Sequence, residues 1–138
     1  MALFQKKDFL MHSGGLAHYK IECDELTEED LDTLAFIVAN KAKLITGEDR
    51  TGIREVYGVP RGGIRFAHAF MPYLDTKWGS LRLIVDDVLT TGRSMEEARL
   101  QKGWTDAIGV VIFARNAPPN WIKPIFQMQW FDTKDEWK

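Results

Sequence analysis

The sequence predicts an α/β fold in which a mainly parallel central sheet is flanked by helices. Short apolar runs typical of buried strands alternate along the chain with segments whose apolar residues recur at helical spacing. Such alternation is typical of βαβ units, which build parallel sheets. The chain has 138 residues, of which 45% are hydrophobic and 28% are charged. This length and composition are those of one folded domain and argue against disorder.

The first helix is predicted to begin after Thr27. The Thr27 hydroxyl can cap the helix, and the acidic residues 28–30 favour the positive end of its dipole. Apolar residues then recur at helical spacing over residues 31–45, and Gly47 ends the pattern.

The remaining elements follow from shorter patterns. Residues 13–15, Ser-Gly-Gly, are expected to form a turn. Two further helices are expected, over residues 64–74 and 94–102. The predicted strands are short apolar runs at residues 55–59, 81–88, 107–114 and 125–131.

Composition also excludes several classes of protein. The net charge of −2 excludes a strongly basic protein that is held to nucleic acid by charge alone. Cys23 is the single cysteine, so neither an intrachain disulfide nor a cysteine-rich zinc site can form. The longest run without a charged residue, residues 9–19, is shorter than the roughly 18 apolar residues of a membrane span. We therefore expect a soluble, cytoplasmic protein without a membrane segment or a signal peptide.

The chemistry is concentrated in residues 85–94. A buried strand ends in the adjacent carboxylates Asp86 and Asp87, and a short loop with hydroxyls and a glycine then enters a helix. The backbone N–H groups at such a junction bind phosphate, and the hydroxyls of Thr90, Thr91 and Ser94 can add donors. The carboxylates can bond sugar hydroxyls or hold hydrated Mg²⁺. A phosphate site beside a diol site describes a pocket for ribose 5-phosphate, whereas a plain surface turn would not require this order of residues.

A second loop, residues 58–63, reads Gly-Val-Pro-Arg-Gly-Gly. Its glycines let the backbone approach an anion closely, and Arg61 supplies a cation with a planar fork of donors. Ligands bind beyond the carboxyl ends of the strands in parallel sheets, so both loops are expected to meet at one site.

Residues 83–94 resemble the signature of type I phosphoribosyltransferases, which bind phosphoribosyl pyrophosphate (PRPP). The resemblance lies in their order, which is an apolar run, Asp-Asp, two residues, Thr-Thr-Gly, one residue and a serine. The resemblance implies that Asp86 and Asp87 hold the ribose 2′- and 3′-hydroxyls and, through water, Mg²⁺ as the cofactor. It further implies catalytic roles for Arg61, Asp86 and Asp87. The phosphate-binding positions would be Thr90, Thr91, Gly92, Arg93 and Ser94 for the 5′-phosphate, and Pro60, Arg61, Gly62 and Gly63 for the pyrophosphate, with a cis peptide bond between Pro60 and Arg61.

The same resemblance implies the type I phosphoribosyltransferase fold, with a small N-terminal hood over residues 1–22. The core would span residues 27–115 and a C-terminal segment residues 116–138, all in one domain, and the protein would be a homodimer. Residues 9–21 resemble the opening of orotate phosphoribosyltransferases, which places Tyr19 near the base. His12 and Lys20 depart from that pattern.

Two residues bear on the identity of the base. Arg115 follows the third core strand, where orotate enzymes carry an arginine that grips the substrate carboxylate. The C-terminal segment also resembles the xanthine–guanine branch, in which a cation at the position of Arg115 contacts the purine oxygen and a tryptophan such as Trp137 lies near the base. Enzymes for 6-oxopurines usually carry aspartate at the position of Thr90, so orotate is favoured. A purine substrate, or a PRPP-binding regulator with little turnover, remains the alternative.

One catalytic part, a flexible loop, is expected to be shortened. Type I enzymes carry a long flexible loop between the helix after the pyrophosphate loop and the PRPP strand, but here only residues 74–80 are available. Lys77 could be a remnant of its cations, and Lys6, Lys7 or His12 of the hood could substitute. The short connection predicts weak activity, because a long loop closes over the site as a lid, adds charged groups to it and excludes water from it.

Overall fold

A computed structural model describes residues 2–10, 16–41 and 52–128. Within these ranges the strands are β1 (Phe4–Leu10), β2 (Leu16–Ile21), β3 (Ile53–Gly58), β4 (Leu81–Leu89), β5 (Ile108–Ala114) and β6 (Ile122–Gln127). The helices are α1 (Glu28–Asn40), α2 (Gly63–Ala69) and α3 (Arg93–Lys102), with 3₁₀ turns at Cys23–Glu25 and Met71–Tyr73. None of the described helices is long and apolar enough to cross a membrane.

The central sheet has four parallel strands in the order β3-β4-β5-β6. Every residue of β5 is buried, as expected for an inner strand that is covered on both faces. β1 and β2 form a separate antiparallel pair, in which Phe4 lies opposite Ile21. The predicted α/β class with a parallel sheet and an N-terminal hood is confirmed, and the turn predicted at residues 13–15 lies outside the described residues.

Between β3 and β4 the chain first contacts one edge of β3 and then crosses to its other edge, so its direction across the sheet reverses there. Leu74 makes an isolated parallel bridge to Ile53. The carbonyl of Ile53 accepts the Asp75 N–H at 2.7 Å on this side, whereas the carbonyl of Gly52 accepts the Leu81 N–H of β4 at 3.1 Å on the other. The chain therefore touches the outer edge of β3 at one position before it crosses to form β4. In open α/β sheets, a crevice for ligands lies at the carboxyl ends of the strands where the order reverses.

This reversal distributes the helices over both faces of the sheet. Phe66 and Phe70 from the α2 region pack with α1 into one buried cluster. Met95 and Ala98 of α3 belong to a second cluster, which includes Ile84 of β4. Alternate residues of the inner strands supply the two clusters, since successive side chains of a strand point to opposite faces.

The start of α1 is the one that the sequence predicts. The Thr27 hydroxyl accepts the Asp30 N–H at 3.0 Å, and the Asp30 carboxylate accepts the Thr27 N–H at 2.8 Å, which is a capping box. The helix buries Leu31, Ala35 and Val38. The described helix ends at Asn40, and most of the predicted continuation over residues 41–45 lies outside the described residues.

The last strand was predicted three residues too late. The sequence pattern predicts residues 125–131, whereas β6 is Ile122–Gln127 and includes Pro124. β6 pairs with β5 alone among the described strands, and a proline is tolerated on an edge strand because its nitrogen need not donate to the ladder. The sheet consequently continues past residue 115, where the sequence analysis ends the core.

Candidate active site

A cavity of about 830 Å³ lies at the carboxyl ends of the central strands. Both predicted loops contribute to its wall, as the sequence predicts. Of the predicted site residues, the cavity is lined by Pro60, Arg61, Gly62, Asp86, Asp87, Thr90, Ser94 and Arg115. Residues more than 50 positions apart in the sequence thus meet in one site.

The acidic pair lies near the end of β4 and is only partly exposed to solvent. The Asp86 carboxylate accepts the Asp87 N–H at 2.9 Å, and the Asp87 carboxylate accepts the Val88 N–H at 2.7 Å. Burial, together with the neighbouring charge of Asp87, raises the pKa of Asp86 to about 8. A partly buried pair of like charges binds a proton or a cation strongly, because either one relieves their repulsion.

The carboxylates suit the predicted Mg²⁺. Oxygen ligands are those that Mg²⁺ prefers, and it usually retains waters and substrate oxygens in its shell. Among the described residues, no group of three or more histidine, cysteine, aspartate or glutamate side chains could hold a metal. Asp86 and Asp87 would therefore share the ion with water and with oxygens of a bound phosphate ester.

Close backbone approach explains the glycines of the first loop. A Cβ atom on Gly62 would collide with the carboxylate of Asp87, and one on Gly63 would collide with the Val85 carbonyl of β4. Their positions thus bring the loop against the acidic strand, in addition to the predicted approach to an anion. The peptide bond between Pro60 and Arg61 is cis, which confirms that prediction.

The second loop forms a small hollow of about 50 Å³ beside the cavity. Its lining includes all the positions predicted to bind the 5′-phosphate, namely Thr90, Thr91, Gly92, Arg93 and Ser94. Gly92 adopts the left-handed conformation, with φ +84°, immediately before α3, which is a conformation that favours glycine. The Thr91 hydroxyl accepts the Arg93 N–H at 3.3 Å. The hollow has the size and donors of a site for one phosphate group.

Arg115 lies at the end of β5 and is 3% exposed, although it lines the cavity. Its backbone N–H donates to the Leu89 carbonyl at 2.9 Å. The next residue, Asn116, donates from its amide to the Thr90 carbonyl at 2.9 Å. The segment that carries Arg115 is therefore bonded directly to the start of the second loop, and sequence reasoning missed the contact that Asn116 makes.

Sequence reasoning also missed residues on the opposite wall. Cys23, Asp24 and Arg65 line the cavity but belong to no predicted motif, and Lys20 of the hood segment lines it as well. Burial, followed by the charges of Asp87 and Asp86, raises the pKa of the Cys23 thiol above its usual range, so the thiol stays neutral beside the acidic pair. The sequence carries no local signal for this wall, because it forms only when β2 and the start of α1 pack over the sheet.

The structure does not support a catalytic role for Lys77. Its ammonium lies 5.4 Å from the centre of the Trp78 ring, in the connection that joins Leu74 to the start of β4. That connection runs at the amino-terminal edge of the sheet, where the Leu81 N–H bonds to Gly52, whereas the cavity lies at the carboxyl edge. The structure therefore places Lys77 away from the cavity of its own chain, and its suggested role as a remnant lid cation stays a prediction.

Several predicted positions lie outside the described residues. These include Trp137 and His12, together with the side chains of Tyr19 and Lys7. The backbone of Tyr19 is described and pairs with Lys6 in the hood. The predicted contact of Tyr19 and Trp137 with a base stays a prediction.

Asp86→Asn is expected to stabilise the folded protein at alkaline pH. Because its folded pKa is raised, Asp86 keeps a proton that the unfolded chain releases, so its contribution to stability is lost as the pH rises from about 4 to about 8. Asparagine never carries this charge and keeps the oxygen that accepts the Asp87 N–H. Urea unfolding should show the variant about 1–3 kcal/mol more stable than the parent at pH 8.5, with a smaller difference at pH 5. Equal differences at both pH values would contradict the assigned titration.

The chain has the fold of type I phosphoribosyltransferases. Its structure is similar to orotate phosphoribosyltransferase from Aeropyrum pernix, with a TM-score of 0.68 and 16% identity over 94% of this chain and 90% of that one. It is also similar to the Mycobacterium tuberculosis enzyme of that name, with a TM-score of 0.61 and 14% identity over 91% and 88% of the two chains. The Francisella tularensis orotate phosphoribosyltransferase gives a TM-score of 0.51 and 21% identity over 80% of this chain and 65% of that one. No family model matches the sequence, and no curated protein matches it at a significant level.

Proposed function

We propose that this protein transfers the phosphoribosyl group of PRPP to a nucleobase, with orotate the favoured acceptor, and releases pyrophosphate. The observation that supports the proposal is the convergence of an acidic pair, a phosphate-sized hollow and the loop with the cis peptide bond on one cavity. These are the parts that PRPP needs: a diol site, a site for the 5′-phosphate and a cationic loop for the pyrophosphate.

In the proposed reaction, a ring nitrogen of the base forms a bond to C1′ of PRPP. The bond from C1′ to the pyrophosphate oxygen breaks, and pyrophosphate leaves with the electron pair. Arg61 would stabilise the charge that develops on the leaving group, and Asp86 and Asp87 would hold the ribose hydroxyls. Mg²⁺, when bound, would neutralise pyrophosphate charge. The protein then acts by orienting the two substrates and by placing charge, without a covalent intermediate.

Orotate is favoured for two reasons. Its carboxylate matches the guanidinium of Arg115, which is buried at the cavity wall. Orotate also reacts as an anion, so it needs no carboxylate base at the position of Thr90 to handle a ring proton. A xanthine- or guanine-type purine is the second candidate, on the resemblance of the C-terminal segment. The remaining proposals, a homodimer and a cytoplasmic location, rest on the resemblance and on composition.

Product formation tests the proposed function. The protein is incubated with PRPP, Mg²⁺ and a panel of orotate, uracil, xanthine, guanine, hypoxanthine and adenine, and nucleotide and pyrophosphate are measured. Nucleotide from orotate alone would support the favoured acceptor, and nucleotide only from purines would reverse the ranking. PRPP binding without nucleotide from any base would point to a PRPP-binding regulator, which the short connection at residues 74–80 also favours.

Arg115→Gln is expected to weaken the binding of orotate while leaving the binding of PRPP nearly intact. Removing a charged hydrogen-bond partner costs about 1.5–3 kcal/mol, so the affinity for orotate should fall roughly 10- to 100-fold. Calorimetry with each ligand measures the two affinities, and the retained PRPP affinity reports that the variant is folded. Arg99→Gln is a matched control, since Arg99 pairs with Glu96 on α3. An equal loss for both ligands would show that Arg115 supports the whole site and does not select the base.

A further inference from the structure

A second arginine faces the cavity beside the pyrophosphate loop. Arg65 of α2 follows Arg61 by four residues, and both line the cavity together with Asp86 and Asp87. The Arg65 side chain is 41% exposed, so an incoming ligand can reach it. No motif of the sequence analysis includes this residue.

The contacts of Arg65 hold it in place without using its whole guanidinium. One terminal nitrogen, Nη2, donates to the Leu26 carbonyl at 2.8 Å and lies 3.4 Å from the Glu28 carboxylate. Arginine carries five N–H donors in a planar fork, so one nitrogen can be anchored while others bond an anion. The anchor also restricts the side chain before a ligand arrives, which lowers the entropic cost of binding.

The position of the short connection creates the need for such a cation. Pyrophosphate carries several negative charges that must be balanced as it leaves. Residues 74–80 run at the opposite edge of the sheet, and Lys77 does not line the cavity. Among the described residues near the pyrophosphate loop, Arg61 and Arg65 are the cations that line the cavity.

We propose that Arg65 is a second pyrophosphate-binding residue, which grips the pyrophosphate of PRPP together with Arg61. The inference rests on the proposed function and extends it, because it assigns to the body of the protein part of the positive charge that a long lid would otherwise bring to the pyrophosphate. The competing explanation is structural: Arg65 could serve only to fasten α2 to the start of α1 through Leu26 and Glu28.

Two ligands and two pairs of variants separate these explanations. Calorimetry in Mg²⁺ buffer measures the affinity for inorganic pyrophosphate and, separately, for ribose 5-phosphate, which lacks the pyrophosphate. The variants are Arg65→Gln and the charge-conserving Arg65→Lys. Glu28→Gln removes the ion pair but retains the cation. Arg82→Gln is the matched control, since Arg82 is 37% exposed, lies outside the cavity and pairs with Glu55 at a distance of 2.9 Å.

We expect Arg65→Gln to weaken pyrophosphate binding about 10- to 50-fold, as loss of a charged hydrogen bond does, with ribose 5-phosphate changed less than twofold. Arg65→Lys should recover part of the loss, and Glu28→Gln and Arg82→Gln should match the parent. Unchanged pyrophosphate affinity in Arg65→Gln, or an equal loss in Glu28→Gln, would overturn the inference. If the parent protein itself binds neither ligand nor PRPP, the proposed function fails, which is a different outcome from the failure of Arg65 alone.

Discussion

Replacing Asp86 and Asp87 together by asparagine is expected to abolish measurable PRPP binding in Mg²⁺ buffer. Both carboxylates line the cavity, and both belong to the partly buried end of β4. Asparagine cannot supply the negative charge that draws Mg²⁺, and it changes the acceptors that would bond the ribose hydroxyls. Calorimetry should show a fall in PRPP affinity of at least about 100-fold, the sum of two lost charged contacts.

The stability of the same variant makes the result interpretable. Asp86→Asn alone is expected to raise the free energy of unfolding at pH 8.5. If urea titration shows the same increase for the double variant, its loss of PRPP binding cannot be attributed to unfolding. Asp75→Asn is the matched control, because the Asp75 carboxylate accepts the Trp78 N–H at 2.9 Å at the opposite edge of the sheet. PRPP affinity that survives in the double variant would remove the ribose assignment.

Turnover is expected to be slow even when PRPP binds well. The proposed phosphate, ribose and pyrophosphate contacts all come from the body of the protein, so we expect the affinity for PRPP not to depend on a lid. A lid raises the rate by drying the site and by adding charge to the transition state. Leu74 contacts β3 at a single bridge, and the chain then turns back to β4 without reaching the carboxyl edge. We expect a kcat well below the roughly 10 per second that is typical of enzymes.

Steady-state kinetics, measured beside a PRPP binding curve, tests this expectation. Lys77→Ala should leave both kcat and the PRPP affinity unchanged, because Lys77 lies at the far edge of the sheet. Lys6→Ala and His12→Ala test whether the hood supplies the missing groups, and a fall in kcat without a fall in PRPP affinity would identify such a group. A kcat near 10 per second in the parent protein would show that the short connection is no handicap.

Local junctions were the most predictable part of the fold. The capping box at Thr27 and Asp30 is encoded within four residues, and so is the left-handed glycine before α3. The end of β6 was less predictable, because Pro124 is a poor strand residue everywhere except on an edge, and strand order decides which strand is an edge.

The site divides in the same way. The acidic pair and the loop that lines the small hollow were predicted from the sequence, because they form one run of adjacent residues in which a strand ends and a helix begins. Arg65 and Asn116 were missed, because each is held in place by a long-range hydrogen bond, to Leu26 and to Thr90. A single sequence carries no mark of such pairs.

The sequence by itself thus determined the α/β class, the acidic pair and the two loops that line the site, since these depend on residues that are neighbours along the chain. The resemblance to a known family added the place of the cis peptide bond. Only the tertiary structure decided which edge of the sheet each connection occupies. The bridge between Ile53 and Leu74 keeps Lys77 away from the cavity, and the packing of α1 against α2 brings Arg65 to it. Both outcomes depend on contacts between segments that are distant in sequence, whose geometry exists only once the core between them has formed.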